Sequence, residues 1–63
     1  MDEKELFVEV LNNFKEKYNL DIQRPYNDTY IVIYDKNDHE LGSMNYGGYN
    51  LHYNLKQLIQ ILD

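Results

Sequence analysis

Residues 29–46 read TYIVIYDKNDHELGSMNY, and this segment decides the fold. Its first six residues are all β-branched or aromatic, the types that favour a pleated and half-buried strand. Polar residues 35–38 then interrupt the apolar run, and a looser alternation resumes over 39–46. Two such runs joined by a short polar segment are typical of a β-hairpin. We therefore predict two antiparallel strands with a turn at 35–38.

The first of these strands carries apolar side chains on both faces. Successive side chains alternate between the faces, so Ile31 and Ile33 share one face, and Tyr30, Val32 and Tyr34 share the other. We expect the isoleucine face to pack under helices and the tyrosine face to stay partly open. In the second strand the apolar residues fall on both faces, so the sequence does not determine its register against the first strand.

The segment before the hairpin predicts an amphipathic helix followed by a short strand. Asp2 and Glu5 have the spacing of a capping box, and Asn19 is expected to cap the other end in the left-handed conformation. Apolar residues between them recur at intervals of three and four: Leu6, Phe7, Val10, Leu11, Phe14 and Tyr18. Val8 falls outside this stripe and is expected to be exposed. Residues 20–24 alternate as a strand, which Pro25 would end or confine to a sheet edge.

The segment after the hairpin has two interpretations. The alternation in 49–53 favours another strand, whereas the repeat of Tyr-Asn-Leu at 49–51 and 53–55 suits an early start to a final helix. We prefer the strand, because Asn54 and Gln57 again have capping-box spacing. The helix would then bury one stripe and leave Ile61 at its edge, where a dimer contact could form. The residues of this stripe are Leu55, Leu58, Ile59 and Leu62.

These elements predict one small two-layer α+β domain over 1–63. Its order is α-β-β-β-α or α-β-β-α, with two helices packed on one face of an antiparallel sheet. A chain of 63 residues buries only about 60% of the surface that it exposes when unfolded. Small domains often bury further surface by oligomerisation, so a homodimer is one of the states that the sequence allows.

Composition limits the classes of partner. The chain has 11 acidic and 6 basic side chains, a net charge of -5, so we expect no direct binding to nucleic acid and no docking on anionic membranes. It has no cysteine, no signal-peptide-like stretch and no apolar run near the roughly 20 residues of a membrane span. We therefore expect a cytoplasmic protein.

No pattern in the sequence indicates catalysis, a cofactor or a metal. The polar segment 35–40 fails the spacing of a Ca²⁺-binding EF-hand loop, because Glu40 and Tyr46 occupy its sixth and twelfth positions. The two histidines form no zinc motif, and the three glycines form no phosphate-binding loop. We predict that the protein is not an enzyme, and that it binds neither cofactor nor metal.

Acidic and aromatic residues around the hairpin remain as the candidate binding site. Carboxylates held on a rigid frame can substitute for phosphates, and tyrosine is enriched where proteins contact each other. We predict that these residues bind a partner protein with a basic surface. The predicted partner-binding residues are Asp28, Tyr30, Tyr34, Asp35, Asp38 and Glu40.

In size, acidity and lack of catalytic motifs the chain is similar to small phage-encoded inhibitors, such as anti-CRISPR proteins and inhibitors of uracil-DNA glycosylase. The likeness is one of composition and carries over no residue. It implies a non-enzymatic inhibitor that occupies a nucleic-acid-binding surface of another protein. The alternative is a homodimeric structural or adaptor protein.

Overall fold

The computed structural model describes residues 2–63, which form two helices and a three-stranded antiparallel sheet. Along the chain the elements are α1 (Glu3–Tyr18), β1 (Asp21–Gln23), β2 (Tyr30–Tyr34), β3 (Glu40–Asn45) and α2 (Leu51–Leu62). The central strand is β2, which pairs with β1 on one side and with β3 on the other. The predicted α+β architecture and the element order α-β-β-β-α are confirmed.

The core lies between the sheet and both helices. Ile31 and Ile33 of β2 are completely buried, and they belong to one cluster with Phe7 and Leu11 of α1 and Leu58 of α2. Because residues of both helices meet the same two isoleucines, both helices lie on that face of the sheet. The expectation for the isoleucine face is confirmed.

Both ends of α1 are capped as the sequence predicts. The Asp2 side chain accepts a hydrogen bond of 2.8 Å from the backbone N–H of Glu5. At the other end Asn19 adopts the left-handed conformation, with φ of 56°. The Leu20 N–H donates to the Lys15 carbonyl at 2.9 Å, and the Leu20 side chain is buried. This cap turns the chain directly into β1.

The buried face of α1 is centred on Phe7 and Leu11, which shifts it from the predicted stripe. Leu6 is 40% exposed, whereas Val8 is half-buried against the core. At 100° per residue, Val8 lies about 80° from the line through Phe7 and Leu11, and Leu6 lies about 120° from it. The expectation of an exposed Val8 is therefore wrong.

The predicted strand at 49–53 is wrong, because α2 begins within it. Asn50 is the N-cap, and its side chain accepts a hydrogen bond of 2.8 Å from the Tyr53 N–H. A side chain that satisfies a free amide of the first turn favours a helix start at this point. The alternation of tyrosine and leucine is equally compatible with helical spacing, since Leu51 and Leu55 are one turn apart.

The core-facing side of α2 contains a polar residue, and this also corrects the prediction. Asn54 and Leu58 are buried, Ile61 is half-buried, and Ile59 is 57% exposed. The expected roles of Ile59 and Ile61 are thus reversed. The apolar pattern alone places the centre of the stripe too close to Ile59, because Asn54 occupies a core position that the pattern treats as polar surface. Ile61 instead packs over Gly42 of β3, where a side-chain Cβ would lie 3.0 Å from Ile61 Cγ1.

Asn54 ties the hairpin to α2. Its Nδ2 donates to the Tyr46 carbonyl at 3.1 Å and to the Tyr49 carbonyl at 3.3 Å. The side chain is only 3% exposed, and its Oδ1 has no hydrogen-bond partner among residues 2–63. Buried carbonyls need hydrogen-bond donors, and the carbonyls of Tyr46 and Tyr49 lie outside the strands and helices. Asn54 supplies their donor.

The start of β2 and the end of the hairpin are in close contact. The Tyr46 N–H donates to the Thr29 carbonyl at 2.9 Å, which extends the pairing of β2 with β3 by one bond. One residue further on, a Cβ at Gly47 would lie 2.7 Å from Thr29 Oγ1 and 2.9 Å from Thr29 Cβ. Glycine at 47 therefore reflects the space that Thr29 occupies.

The position of α1 can be tested by substituting two leucines of the same predicted stripe. Leu11→Ala should lower the free energy of unfolding by about 2–5 kcal/mol, because it opens a cavity in the core. Leu6→Ala should lower it by less than about 1 kcal/mol, because Leu6 already contacts water. Urea denaturation followed by circular dichroism measures both values. Equal losses would contradict the helix orientation described here.

The start of α2 can be tested at its N-cap. Asn50→Ala should destabilise the protein by about 1 kcal/mol, because the Tyr53 amide loses its acceptor. Asn50→Ser retains a capping oxygen and should stay within a few tenths of a kcal/mol of wild type. Thermal and urea unfolding are the measurements. An Asn50→Ala variant as stable as Asn50→Ser would place the helix start elsewhere.

Candidate functional site

The sheet has one face that the helices do not cover. Tyr30, Val32 and Tyr34 of β2 lie on this side, opposite the isoleucines, and none of them belongs to the core cluster formed with the helices. Both tyrosines are half-buried, and Val32 between them is 8% exposed. The predicted open tyrosine face is present, with a buried valine at its centre.

Two carboxylate residues flank Tyr34 on this face. Tyr34 is paired with Asp21 of β1 on one side and with Glu40 of β3 on the other. Residues directly opposite each other in an antiparallel pair share a face, with Cβ atoms about 4.5–5.5 Å apart. Asp38, from the turn between β2 and β3, lines the same shallow groove as Asp21 and Tyr34. We call Asp21, Tyr34, Asp38 and Glu40 the Tyr34 cluster.

A register shift in the hairpin brings Glu40 to this position. Ile33 pairs with Gly42, but Tyr34 pairs with Glu40, so Leu41 is an extra residue on β3. Such a bulge changes the alternation of the strand by one residue. Gly42 faces the helices through its contact with Ile61. Without the bulge, Glu40 would share the face of Gly42, two residues away.

The turn that carries Asp38 is tightly specified by hydrogen bonds. The Asp38 N–H donates to the Asp35 carbonyl at 3.1 Å, and the Asp35 N–H donates to the His39 carbonyl at 2.9 Å. Asp38 has a φ of 63°, in the left-handed region. This is a three-residue hairpin loop of Lys36, Asn37 and Asp38, in which the third residue is usually glycine. Aspartate tolerates this conformation better than most side chains.

Asp35 has a structural role inside the same turn. Its Oδ1 accepts hydrogen bonds from the backbone N–H groups of Asn37 at 2.8 Å and His39 at 3.0 Å. Its Oδ2 lies 3.6 Å from Nδ1 of His39. These bonds, above all the one from the His39 N–H, lower the pKa of the Asp35 carboxyl. Because its oxygens bond within the turn, Asp35 stabilises the turn that carries Asp38. A contact between Asp35 and a partner stays a prediction.

Tyr30 lies at the other end of the sheet face, whereas Asp28 lines a groove beside α1 together with Val8. Tyr30 is four residues from Tyr34 on β2, a separation of about 13 Å along an extended strand. The Asp28 carbonyl accepts hydrogen bonds from Tyr46 Oη at 2.8 Å and from Arg24 Nε at 3.1 Å. The Tyr30 ring contacts the exposed ring of Tyr26 edge-on, with centroids 5.2 Å apart. The six predicted residues therefore do not form one site. The structure brings together Tyr34, Asp38 and Glu40, and it places the other three elsewhere.

Asp21 is the member of the Tyr34 cluster that is absent from the predicted partner-binding residues. It was predicted within a strand over 20–24, but nothing in the sequence indicated which strand β1 pairs with, or in which register. Its carboxylate accepts a hydrogen bond of 2.8 Å from Gln23 Nε2, a neighbour on the same face. The alternation of 20–24 indicates a strand, but only the pairing of β1 with β2 shows that Asp21 lies beside Tyr34.

Across residues 2–63, no group of three or more His, Cys, Asp or Glu side chains is arranged to hold a metal ion. Neither α1 nor α2 is long and apolar enough to cross a membrane.

Comparison of the chain with protein-family models, curated proteins and solved structures finds no match. Its function is therefore inferred from its own residues.

The charge of Asp35 gives a prediction for pH. A carboxyl whose pKa is lower in the folded than in the unfolded state stabilises the fold above its unfolded pKa, and this contribution is lost as the pH falls through the folded value. Wild type should thus melt at a higher temperature than Asp35→Asn at pH 7. The difference should shrink as the pH falls from about 4, the ordinary pKa of an aspartate in an unfolded chain, through the lower pKa of the folded Asp35 carboxyl.

Glu40→Gln is the control for this pH experiment. Within residues 2–63 the Glu40 carboxylate makes no hydrogen bond and no ion pair. Its substitution should change the melting temperature little at either pH. An Asp35→Asn difference that stays constant from pH 7 to pH 3 would contradict a role for the charge.

Proposed function

We propose that this protein is a non-enzymatic protein-binding module, whose open sheet face occupies a basic surface on a partner that otherwise binds nucleic acid. The partner is inhibited because a surface filled by this protein cannot hold a nucleic acid strand. The observation that carries the proposal is the Tyr34 cluster, an aromatic ring with carboxylates on both neighbouring strands and on the adjoining turn.

The chemistry of the cluster suits arginine. A guanidinium group stacks on aromatic rings and pairs with carboxylates, often with two parallel hydrogen bonds. Tyr34 offers the ring, and Asp21 and Glu40 lie on either side of it, about 10 Å apart across three strands. An arginine side chain of a partner could stack on Tyr34 and meet a carboxylate at its end. Basic residues that otherwise contact phosphates would meet carboxylates here.

The scaffold keeps the backbone of these residues in place. Asp21 and Glu40 belong to paired strands, and the backbone hydrogen bonds of the hairpin turn fix Asp38. Side chains on a fixed backbone lose less conformational freedom on binding than side chains on a disordered tail. The net charge of -5 also attracts a basic partner over distances up to about 8–10 Å at physiological salt.

The proposal can be tested by capture of a partner and by matched charge removal. Immobilised wild type should retain a basic nucleic-acid-binding protein from a cell lysate, identified by mass spectrometry. High salt or excess duplex DNA should release it, because charge complementarity holds the complex. For the purified partner, Asp21→Asn combined with Glu40→Gln should weaken binding about tenfold or more, a loss of roughly 1.4 kcal/mol.

Two controls make this experiment specific to the sheet face. Glu5→Gln combined with Glu16→Gln on α1 removes the same two charges, and should leave affinity within about twofold, since surface charges far from a contact contribute little. Tyr34→Phe keeps the ring and should bind, whereas Tyr34→Ala should not bind well. A partner whose binding ignores salt, competitor DNA and the Asp21–Glu40 pair would contradict the proposal, as would recovery of no partner.

A further inference from the structure

The outer side of β3 is a free edge of the sheet. The Tyr46 N–H donates to the Thr29 carbonyl, and this bond determines which residues of the hairpin turn their backbone groups toward β2. Opposed residues of an antiparallel pair alternate between bonded and non-bonded positions. Counting back from Tyr46 by two, Met44 and Gly42 therefore also direct their backbone groups toward β2. The residues between them direct theirs the other way.

Ser43 and Asn45 thus direct their backbone N–H and C=O groups to the free edge. In the described chain, residues 2–63, no strand pairs with that side of β3. Both residues are exposed to solvent. A strand of another molecule at this edge would find two donors and two acceptors in the arrangement of a sheet ladder.

The two edges of this sheet differ in how they are protected. Proteins usually protect an edge by a short strand, a proline or charged side chains. The edge strand β1 has only three residues, includes Asp21, and is soon followed by Pro25. In contrast, β3 has six residues, and 41–55 contain no Asp, Glu, Lys or Arg. The bulge at Leu41 affects only the end near the turn, and 42–45 pair regularly with β2. The edge of β3 is therefore the one that is open to pairing.

The position of α2 decides what can pair with this edge. The helix lies over β3, because Ile61 packs against Gly42 and Asn54 bonds to the Tyr46 carbonyl just beyond the other end of the strand. A second copy paired through β3 would bring its own α2 to about 4.8 Å from the first, the spacing of neighbouring strands. Packed helices need about 8–10 Å between their axes. A single extended segment without a helix on this side avoids the overlap.

Glu40 indicates the chemistry of such a segment. Side chains of a strand alternate between the faces, so the segment residue beside Ser43 points to the open face, as does the residue two positions nearer the turn, beside Glu40. Glu40 is exposed, and among residues 2–63 its carboxylate makes no ion pair. A Lys or Arg at that position of the segment would pair with it. The other positions meet an uncharged stretch, which favours neutral side chains.

We propose that the outer edge of β3 binds an extended segment of a partner protein, which adds a fourth strand to the sheet and places a Lys or Arg beside Glu40. Backbone hydrogen bonds supply the affinity, and the basic residue fixes the position of the segment. The proposal goes beyond the function proposed above, because it concerns a second surface. It holds whether or not the Tyr34 cluster binds a basic surface.

A library of random heptapeptides displayed on phage, selected on the immobilised full chain, supplies the probe. Enriched peptides should lack proline, should alternate β-branched or aromatic residues with others, and should carry a Lys or Arg. The most enriched sequence is then synthesised, and its affinity is measured by fluorescence anisotropy. A selection that enriches no peptide, or only proline-rich ones, would overturn the proposal.

Ser43→Pro removes the outward N–H but spares the bonds of Gly42 and Met44 to β2, as proline does in natural edge strands. It should weaken the synthetic peptide about tenfold or more, because one backbone bond is lost and the ring obstructs the edge. Ser43→Thr retains the N–H and is the matched control, with affinity within about twofold of wild type. Circular dichroism verifies that both variants are folded. Equal affinities of Ser43→Pro and Ser43→Thr would contradict the proposal.

Amide hydrogen exchange of wild type, measured by NMR, gives a test that needs no variant. Without peptide, the Ser43 and Asn45 amides should exchange faster than those of Gly42 and Met44, because they have no acceptor in the sheet. Saturating peptide should slow exchange at Ser43 and Asn45 several-fold. Protection that appears elsewhere and leaves these two amides unchanged would place the peptide on another surface.

Two further measurements separate this proposal from the one above. Glu40→Gln should weaken the peptide several-fold, whereas Asp21→Asn should leave its affinity nearly unchanged, because Asp21 lies on the opposite edge strand. A peptide that depends on Asp21 and not on Ser43 binds the Tyr34 cluster instead. Sedimentation velocity of wild type tests the other occupant: a dimer that Ser43→Pro dissociates would show that a second copy takes the edge. Either result would overturn the proposal.

Discussion

The burial of Ile31 and Ile33 between the sheet and the helices is the interaction on which the rest of the structure depends. Phe7, Leu11 and Leu58 contribute the other fully buried side chains of the same cluster. Because β2 is the central strand, directing its isoleucines to the helices also directs its tyrosines away from them. The core and the open face are thus two consequences of one alternating sequence. A slip of one residue in β2 would lose both.

The hairpin, the caps of α1 and the order of elements could be predicted because their signals are local. A turn segment, an N-cap or a left-handed asparagine acts through neighbours within about four residues. The faces of the helices could not be predicted as well. Val8 and Ile61 face the core and Ile59 faces water because of where the sheet lies, and Asn54 is buried because it bonds to carbonyls of a preceding loop. The spacing of apolar residues along a helix does not indicate such contacts between distant segments.

The candidate site shows the same division. Tyr34, Asp38 and Glu40 were predicted from composition near the hairpin, and the structure brings them to one end of a face. Asp21 joins them only through the pairing of β1 with β2, whose register the sequence did not indicate. The charge of Asp35 predicts a contact with a partner, but its short side chain reaches two backbone amides of its own turn. Whether a carboxylate faces solvent or its own backbone depends on turn geometry that composition does not describe.

The close approach of Thr29 to Gly47 restricts how this fold can change during evolution. Any side chain at 47 would overlap the Cβ substituents of residue 29, and threonine is held in few rotamers. Because the Cβ of Thr29 itself lies 2.9 Å from the Cβ that residue 47 would carry, alanine at 47 requires glycine at 29 or a shift of the backbone. Substitutions at the two positions are therefore coupled, because residues 29 and 47 are in contact at the open end of the hairpin. Drift at either one is constrained by the other, although neither belongs to the core or to the candidate site.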